Sequence, residues 1–416
     1  MFTYALRCFT CNDSYPPDGN LYACPKCRAA LHVEFDFSGR EDEARDLLRN
    51  VPGKRGMWDY DEFLPVSPKT RPVTLGEGNT PLVPAPNLGK ELGLSDLWIK
   101  NESLNPSGTF KDRCMSVAYS KMREVGGKGM ILGSAGNAAA AASAYAARAG
   151  VPCYVLVPEV TPRERVIHNL LYGARVILVK GTVNDCIDMG TEVMSRLGLY
   201  NATTASTHNP YQAEGPKTIA YEIMCQFEWK APEWVLTPIG GGGILTAMYR
   251  GFEDMVQLGL IKCAPRMAGV QALGCSAVFN TYRDGKKPEE MERVPDPKTI
   301  AVAIADPYPL DGQTALDAIY KTGGAAAGLS DSEILEAQAL LARCEGIIAD
   351  PASSCTIGGI RHLVRQERIK PTERVVAVIT GTGLKDLRLA GETLKNPPVI
   401  EKKVERLLEA IGQYGT

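Results

Sequence analysis

The sequence lacks the features of a membrane protein and of a protein whose main partner is nucleic acid. It contains no apolar run of about 18 residues, the length that a membrane-spanning helix needs. Its 46 Lys and Arg residues are balanced by 48 Asp and Glu residues, so no global basic charge favours nucleic acid or an anionic membrane. The opening residues, MFTYALRCFTC, lack the apolar core and cleavage site of a signal peptide. We therefore expect a cytoplasmic protein that binds neither nucleic acid nor membrane.

The composition is that of an ordinary globular protein. With 416 residues, of which 44% are hydrophobic and 23% charged, the chain is long enough for two or three domains with their own cores. Its twelve cysteines are scattered, unlike those of a secreted disulfide scaffold, and a reducing compartment would keep most of them as thiols.

Four of the cysteines form two pairs near the start of the chain. Cys8 and Cys11 form one C-x2-C turn, and Cys24 and Cys27 form a second one after twelve further residues. This spacing suits a tetrahedral zinc site, because each turn can direct two thiolates at one ion. Two disulfides or a redox dithiol are the alternatives. Such a zinc site would be closed and structural, and His32 would lie outside it.

From about residue 76 to 395 the chain alternates short β-branched runs with helical stretches. This alternation predicts an α/β fold with parallel strands covered by helices. We expect strands near 97–100, 129–133, 153–157, 175–179, 234–238, 267–271 and 374–380. The segment 36–75 predicts a short helix and a connecting arm. The stretch EKKVERLLEAI predicts a surface helix with one docked face, formed by Val404, Leu407, Leu408 and Ile411.

Residues 105–113, NPSGTFKDR, form a polar turn that places Lys111 at the start of a predicted helix. The residues that follow put four apolar side chains on one helical face: Met115, Ala118, Tyr119 and Met122. An amine that is partly removed from water has a lowered pKa, which suits it to covalent chemistry with carbonyl groups and to proton transfer. The alternative is a solvated surface lysine between Asp112 and Arg113.

A second motif, Gly133 to Asn137, joins a predicted strand to an alanine-rich helix. A loop of small residues before a helix start brings backbone N–H groups close to an anionic ligand. A dinucleotide-binding fingerprint is excluded, because Ile131 stands where its first glycine would be. A tightly packed helix without a ligand is the alternative.

A third motif is a run of four glycines between a strand and a helix: Gly240, Gly241, Gly242 and Gly243. Such a run can wrap backbone donors around a phosphate, and a flexible linker is the alternative. No Lys-Ser/Thr follows, so this is not a nucleotide P-loop. A fourth motif runs from Val378 to Asp386, where the hydroxyl of Thr380 closes a strand and could bond a heterocyclic nitrogen.

Together these parts are what a site for pyridoxal 5′-phosphate (PLP) requires. The chain resembles the threonine synthases, a family among the tryptophan-synthase-β-like (fold type II) PLP enzymes. The resemblance covers nearly the whole chain, including the cysteine segment. It rests on LGEGNTPL (75–82), NPSGTFKDR, SAGNAAAAASAYAARAG, NPYQAEGPKTIAYEI (209–223), the glycine run, EGIIADPAS (345–353) and TGTGLKD.

The resemblance implies a domain organisation. Two open, twisted α/β domains of PLP fold type II would follow a small zinc-ribbon-like segment at residues 1–35. The larger, PLP-binding domain would comprise residues 36–125 and 219–416, and the smaller, substrate-side domain residues 126–218. The resemblance also implies a homodimer.

The resemblance further implies a role for each motif. Lys111 would be linked covalently to the cofactor and act as the catalytic base. Asn137 would hydrogen-bond the ring oxygen of PLP, and Thr380 would meet its pyridine nitrogen. The cofactor phosphate would lie in the cradle of Gly240, Gly241, Gly242 and Gly243. Backbone N–H groups would bind the substrate carboxylate in the loop of Ser134, Ala135 and Gly136.

The implied reaction removes phosphate from O-phospho-L-homoserine and adds water at the β carbon to give L-threonine. Three residues depart from the family pattern: Ala138 where threonine is common, Ile244 where asparagine is frequent and Cys114 where glycine is usual. The threonine normally helps to hold the substrate phosphate. Three basic residues are candidate replacement donors, although surface exposure is the simpler expectation for them: Arg163, Arg165 and Lys217.

Two alternative functions stay open. The chain could be another fold type II lyase or a β-replacement enzyme, similar to serine or threonine ammonia-lyases. Ala138 favours this reading, whereas the zinc-ribbon start favours a threonine synthase. The other alternative is a non-catalytic binding protein that uses the ribbon for interaction. A broken cofactor set would mark such a protein, and Lys111 and its partners are intact.

Overall fold

The computed structural model describes residues 1–385, 387, 391 and 397–413. Asp386, which ends the fourth predicted motif, lies outside the described residues, as do several residues near the end of the predicted larger domain, 219–416. None of the helices within the described ranges combines the length and apolar character that a membrane span requires.

The regular elements are numbered in chain order. The strands are β1 (Thr3–Cys8), β2 (Ser14–Tyr15), β3 (Leu31–Asp36), β4 (Leu82–Pro84), β5 (Asp96–Asn101), β6 (Met130–Gly133), β7 (Cys153–Pro158), β8 (Arg175–Val179), β9 (Tyr200–Asn201), β10 (Trp234–Pro238), β11 (Arg266–Ala272), β12 (Ala325–Leu329) and β13 (Arg374–Ile379). The α-helices are α1 (Glu41–Arg49), α2 (Pro86–Leu92), α3 (Lys111–Glu124), α4 (Asn137–Ala149), α5 (Arg163–Leu171), α6 (Val183–Leu197), α7 (Glu214–Gln226), α8 (Gly243–Gln257), α9 (Ala277–Arg283), α10 (Gly312–Lys321), α11 (Asp331–Glu345), α12 (Pro351–Arg365) and α13 (Val404–Gln413).

The strands of the described residues form three sheets. The N-terminal sheet is antiparallel with the order β2–β1–β3. A four-stranded parallel sheet has the order β8–β7–β6–β9. A six-stranded sheet has the order β12–β11–β10–β13–β5–β4 and is parallel except for β4, which pairs antiparallel with β5. Helices connect the parallel strands, so the predicted α/β architecture is confirmed.

The strands predicted from β-branched runs all form, whereas six strands of the described residues were not predicted: β1, β2, β3, β4, β9 and β12. Among these, β12 is a five-residue strand of the six-stranded sheet. Its residues, AAAGL, have a low intrinsic preference for strands. Packing requires small residues here, because a Cβ on Gly328 would lie 2.6 Å from both Leu273 and Phe279. Tertiary contacts therefore decide the conformation of this segment.

The N-terminal sheet packs against the rest of the chain through aromatic side chains. The ring of Phe2 lies 5.1 Å from that of Phe37 and 5.2 Å from that of Phe63, measured between centroids. On the other side, the ring of Tyr22 lies 5.7 Å from that of Tyr200, which belongs to β9 of the four-stranded sheet. The segment thus contacts both the region of Phe63 and the four-stranded sheet.

Buried charges hold together the elements around the start of α3. The guanidinium of Arg113 lies 2.7 Å from Glu102 and 2.6 Å from Glu222, and the Lys100 ammonium lies 2.6 Å from Glu222. Each of these side chains is at most 3% exposed. Burial alone would raise the pKa of Glu222, but Arg113 and Lys100 lower it to about 2. The ion cluster therefore ties β5 and the turn after it to α3 and α7.

Two helices differ from their predictions. Helix α3 is more buried than one apolar face would require, since every residue from Asp112 to Met122 is buried. Helix α13 forms where predicted, but the prediction that one of its faces packs against the rest of the chain is wrong. The side chains of that face are between 49% and 68% exposed: Val404, Leu407, Leu408 and Ile411. Periodicity shows which residues share a face and does not show whether anything covers it.

We expect Arg113→Met to lower the free energy of unfolding by about 3–5 kcal/mol, because Glu102 and Glu222 would stay buried without a partner. Urea unfolding followed by circular dichroism measures the change. Arg196→Met is the matched control, since the ion pair of Arg196 with Glu192 lies on the surface with both side chains at least 70% exposed. The control should change stability by less than about 1 kcal/mol. Equal losses in the two variants would contradict the importance of the buried cluster.

Candidate active site

Lys111 is the first residue of α3 and is presented by a turn that hydrogen bonds hold closed. The Asp112 carboxylate accepts hydrogen bonds from the Ser107 N–H at 2.7 Å and from the Ser107 hydroxyl at 2.6 Å. The Lys111 ammonium donates to the hydroxyl of Thr204 at 2.9 Å. Burial lowers the pKa of Lys111, so its neutral form is more populated than that of a solvated lysine. The alternative of a surface lysine fails, because both neighbours, Asp112 and Arg113, are fully buried.

The fourth motif lies directly against the Lys111 turn. The carbonyl of Thr380 accepts hydrogen bonds from the Phe110 N–H at 3.0 Å and from the Thr109 hydroxyl at 3.1 Å. The Thr380 hydroxyl lies 2.8 Å from the hydroxyl of Ser353, near the start of α12. The sequence did not predict a role for Ser353, although the residue is part of the EGIIADPAS motif.

Asn137 begins α4 and reaches across to the six-stranded sheet. Its Nδ2 donates to Asp350 Oδ2 at 3.3 Å, and its Oδ1 accepts a hydrogen bond from Lys385 Nζ at 3.1 Å. Asp350 also caps α12 by accepting from the Ser353 N–H at 2.7 Å. Neither Asp350 nor Lys385 was predicted as a site residue, although both stand in motifs that carry the family resemblance.

The loop before α4 does not offer all the donors that the sequence predicts. The Ser134 N–H donates to the Leu156 carbonyl at 3.1 Å, and the Gly136 N–H donates to the Ser134 hydroxyl at 3.3 Å. Only the Ala135 N–H, of the three, has no partner in the described part of the chain. The first turn of α4 adds further N–H groups, because no side chain in the described ranges caps this helix. An anion here would therefore first meet the Ala135 N–H and the helix start, and the carboxylate site expected at Ser134, Ala135 and Gly136 stays a prediction.

The glycine run lies between β10 and α8, and hydrogen bonds hold it in place. The Asp311 N–H donates to the Gly241 carbonyl at 2.7 Å. Gly242 has a φ of +96°, and a Cβ there would lie 2.5 Å from the Asp311 carbonyl oxygen. Among the residues that the structure describes, no side chain caps α8, which begins at Gly243, so the N–H groups of its first turn could bind an anion. A flexible linker would lack these contacts.

Two carboxylates that the sequence did not single out border this cradle. Asp311 accepts a hydrogen bond from the Ser206 N–H at 3.0 Å, and its Oδ2 lies 3.1 Å from the position that a Cβ of Gly243 would occupy. Asp306 Oδ2 lies 3.6 Å from the position that a Cβ of Gly241 would occupy. Burial raises the pKa of both carboxyl groups to about 6. Nothing in their spacing along the chain could have revealed them.

The residues that depart from the family pattern are buried and apolar. Cys114, Ala138 and Ile244 are at most 8% exposed. Of the three candidate phosphate donors, Arg163 and Arg165 are exposed on α5. The remaining candidate is Lys217, whose ammonium is buried and lies 2.7 Å from Glu214 and 2.9 Å from Asp254. Its expected exposure is wrong, and its charge is already paired with these two carboxylates.

The four cysteines of the N-terminal segment converge on one point. The Sγ atoms of Cys8 and Cys27 are 3.4 Å apart, those of Cys11 and Cys24 are 3.7 Å apart, and all four lie within 4.8 Å of one another. Ligands at about 2.3 Å from a tetrahedral zinc ion are roughly 3.8 Å apart. The cluster therefore fits a four-thiolate zinc ion, and His32 does not belong to it.

The donor set around Lys111 fits PLP. A half-buried amine of lowered pKa suits the covalent link to an aldehyde. The uncapped start of α8, where a Cβ on Gly242 would strike the backbone, suits a phosphate. The hydroxyls at the end of β13 and the Asn137 carboxamide supply polar groups for a pyridine ring.

Comparison with known proteins agrees with this geometry. The family described as pyridoxal-phosphate dependent enzyme matches residues 73–381, so the chain is a PLP-dependent enzyme by family. The threonine synthase of Methanocaldococcus jannaschii is 38% identical over 397 residues, which cover 95% of this chain and 96% of the relative. That of Methanosarcina acetivorans is 36% identical over 412 residues, which cover 98% of both. Within the PLP-dependent enzymes, the chain belongs to the threonine synthases.

Solved structures confirm the fold. The L-serine ammonia-lyase of Rhizomucor miehei superposes with a TM-score of 0.65 at 22% identity and covers 77% of this chain and 98% of that one. Threonine deaminase isoform 2 of Solanum lycopersicum superposes with a TM-score of 0.61 at 21% identity, covering 81% and 88%. At these identities the likeness shows the fold alone, which is the predicted PLP fold type II.

We expect Gly242→Ala to weaken PLP uptake by at least about tenfold, because its Cβ would push the cradle away from the Asp311 backbone. Gly126→Ala is the matched control: Gly126 also has a positive φ, +74°, but a Cβ there meets nothing within 4 Å. Both variants carry the strain of a left-handed residue, about 1–2 kcal/mol, and only the first carries the clash. Titration of the apo-protein with PLP, followed by absorbance, measures the effect. Equal PLP affinities in the two variants would contradict the role of the glycine run as the site of the cofactor phosphate.

Proposed function

We propose that this protein acts as a threonine synthase, converting O-phospho-L-homoserine and water into L-threonine and phosphate with PLP as cofactor. The observation that carries the proposal is the half-buried Lys111 amine, which donates to the Thr204 hydroxyl and whose turn is hydrogen-bonded to the Thr380 carbonyl after β13. The relatives named threonine synthase align along almost the whole chain, which supports the same assignment.

Lys111 is the group that moves protons. When bound, PLP supplies an electron sink that stabilises negative charge on the carbon next to the substrate nitrogen. Burial lowers the pKa of Lys111, so its neutral amine is available to take one carbon-bound proton of the substrate at a time. It takes the α proton first and must give that proton up before it can take a β proton. The same amine returns a proton to the γ carbon after phosphate departs. The Thr204 hydroxyl, at 2.9 Å, accepts a hydrogen bond from the amine and limits its swing.

The remaining site residues hold and orient the ligands. The start of α8, with Gly240 to Gly243, would bind the cofactor phosphate. Asn137 would donate to the ring oxygen of PLP, and the Thr380 hydroxyl, backed by Ser353, would meet the pyridine nitrogen. A neutral hydroxyl partner leaves this nitrogen less protonated than a carboxylate would. The Ala135 N–H and the start of α4 would bind the substrate carboxylate, with Ser134 and Gly136 shaping the loop.

One observation favours a second candidate function within the same cofactor class. Ala138, the second residue of α4, is 8% exposed and offers no hydroxyl to a substrate phosphate. A serine or threonine ammonia-lyase, or a β-replacement enzyme, would not need that hydroxyl. A non-catalytic binding protein is disfavoured, because Lys111 and its partners form an intact set.

The assembly and location proposed here rest on the family resemblance. A homodimer in the cytoplasm, without nucleic acid or membrane as a partner, is what we expect of such an enzyme. The domain division at residues 1–35, 126–218 and the remainder of the chain is supported by the segregation of the strands into separate sheets. Light scattering during size exclusion tests the dimer directly.

Purified protein should release phosphate from O-phospho-L-homoserine and form threonine in equal amounts. Lys111→Ala should lose the visible absorption of bound PLP and lower kcat by at least about a thousandfold, because the site loses both the amine that links the cofactor and the base that moves the protons. Lys90→Ala is the control, since Lys90 is exposed on α2, and it should behave as wild type. Coupled phosphate detection and chromatography of the amino acid measure the two products.

Other results of this assay would redirect the assignment. Phosphate release without threonine, or turnover of serine or O-phosphoserine alone, would support the ammonia-lyase or β-replacement function. A colourless protein that takes up no PLP would sink both catalytic assignments and favour a binding protein.

We further propose that the cysteine cluster holds one structural zinc ion per chain. Cys27→Ser should lower the zinc content well below one, because a four-thiolate site that loses a ligand binds far more weakly. Cys263→Ser is the control, since Cys263 is equally an exposed cysteine but lies outside the cluster. Plasma emission spectrometry of dialysed protein measures the metal. Fully folded wild-type protein that contains no zinc would refute the proposal.

A further inference from the structure

Lys385 makes a contact in the site that none of the roles described so far explains. It ends a short helical turn, Gly383–Lys385, that follows β13. Its Nζ donates to Asn137 Oδ1 at 3.1 Å, while Asn137 Nδ2 donates to Asp350 Oδ2 at 3.3 Å. Asn137 begins α4 beside the four-stranded sheet, whereas both of its partners belong to the region of the six-stranded sheet. The Asn137 carboxamide is therefore held at both ends across the site.

These two partners fix which way the carboxamide points. An ammonium group can only donate hydrogen bonds, and an ionised carboxylate can only accept them. If the amide of Asn137 were turned over, its NH2 group would face the Lys385 ammonium and its oxygen would face Asp350. The contact with Lys385 would then be repulsive, and so would the contact with Asp350 whenever its carboxyl group, whose pKa burial raises, is ionised. Lys385 and Asp350 therefore select one of the two orientations of the Asn137 carboxamide, whose oxygen and nitrogen are similar in size.

The side chain of Lys385 is itself held in place. Burial lowers its pKa, while the carboxylates of Asp112 and Asp350 oppose this effect. Its stem passes close to the Lys111 turn at Gly108, where a Cβ would lie 3.3 Å from Lys385 Cε and 2.7 Å from Thr382 Cγ2. The absence of a side chain at Gly108, whose φ is +75°, lets the lysine reach Asn137.

We infer that Lys385 is a positioning residue, which orients the Asn137 carboxamide so that its Nδ2 faces the ring oxygen of PLP. An amide NH2 has two hydrogens, so Nδ2 can donate one to Asp350 and the other to the cofactor. The ammonium also polarises the amide and strengthens Nδ2 as a donor. The inference rests on the proposed function and adds a residue to that site.

The test compares Lys385→Met with the control Lys90→Met, each made in wild type and in Asn137→Ala. Lys385→Met keeps the stem and removes the charge, and Lys90 is an exposed lysine away from the site. In the wild-type background, Lys385→Met should weaken PLP binding to the apo-protein by roughly tenfold, the size of a lost charge-assisted hydrogen bond. In the Asn137→Ala background its effect should be at most about twofold, since there is no carboxamide left to orient.

The absorption spectrum supplies a readout that a merely structural role would not move. At one fixed pH, the lowest at which the wild-type protein shows both forms of the bound cofactor, the fraction in the protonated, longer-wavelength form should rise in Lys385→Met. The deprotonated form carries one more negative charge, and the ammonium that stabilises it is gone. An unchanged fraction, or the same loss of PLP affinity with and without Asn137, would overturn the inference.

A second variant and a separate assay keep the outcomes distinct. If Lys385→Met does not fold, as judged by circular dichroism, Lys385→Gln removes the charge with a polar side chain and should shift the spectrum in the same direction. Threonine formation by a wild-type protein whose Lys385 variants bind PLP normally would overturn the inference alone. PLP binding that depends on Lys385 without threonine formation would overturn the proposed function alone. A wild-type protein that binds no PLP would overturn both.

Discussion

The position of Lys111 depends on charges that water cannot reach. Arg113 follows Lys111 by two residues, and its guanidinium is fixed between two carboxylates, Glu102 and Glu222. Removing such charges from water costs several kcal/mol for each ion, so the arrangement persists only because the hydrogen bonds are well formed. The consequence is geometric: the strand, turn and helices that carry these residues cannot shift separately. The direction in which Lys111 leaves its helix is therefore set by the packing behind it.

The fold could be predicted wherever sequence pattern and local preference agree. The β-branched runs identified most parallel strands, because buried parallel strands are continuous and apolar. The strand Ala325–Leu329 could not be found this way, since its small residues are demanded by the neighbouring Leu273 and Phe279 side chains. The terminal helix was predicted, but its exposed apolar face was not, because periodicity carries no information about what lies opposite.

The site could be predicted motif by motif, and its internal contacts could not. Lys111 and Asn137 stand in turns whose composition indicates ligand chemistry, and the contacts through Thr380 and Gly381 bring those turns together. Asp311 is remote in sequence and has no distinctive neighbours, so only the folded chain reveals that it borders the glycine cradle. Lys217 is the opposite case. Its basic side chain stands in a family motif and was a candidate phosphate donor, but it is buried and paired with Glu214 and Asp254.

The aromatic contacts of the first 35 residues make this segment inseparable from the enzyme. Phe2 covers Phe63, and Tyr22 covers Tyr200, so each ring is shielded by a partner on another part of the chain. A shortened protein that began after Asp36 would turn the faces of Phe63 and Tyr200 toward water and lose their burial. Residues 1–35 therefore shield part of the hydrophobic core from water. Insertions or fusions are better tolerated at exposed loops than at the point where this segment joins the rest of the chain.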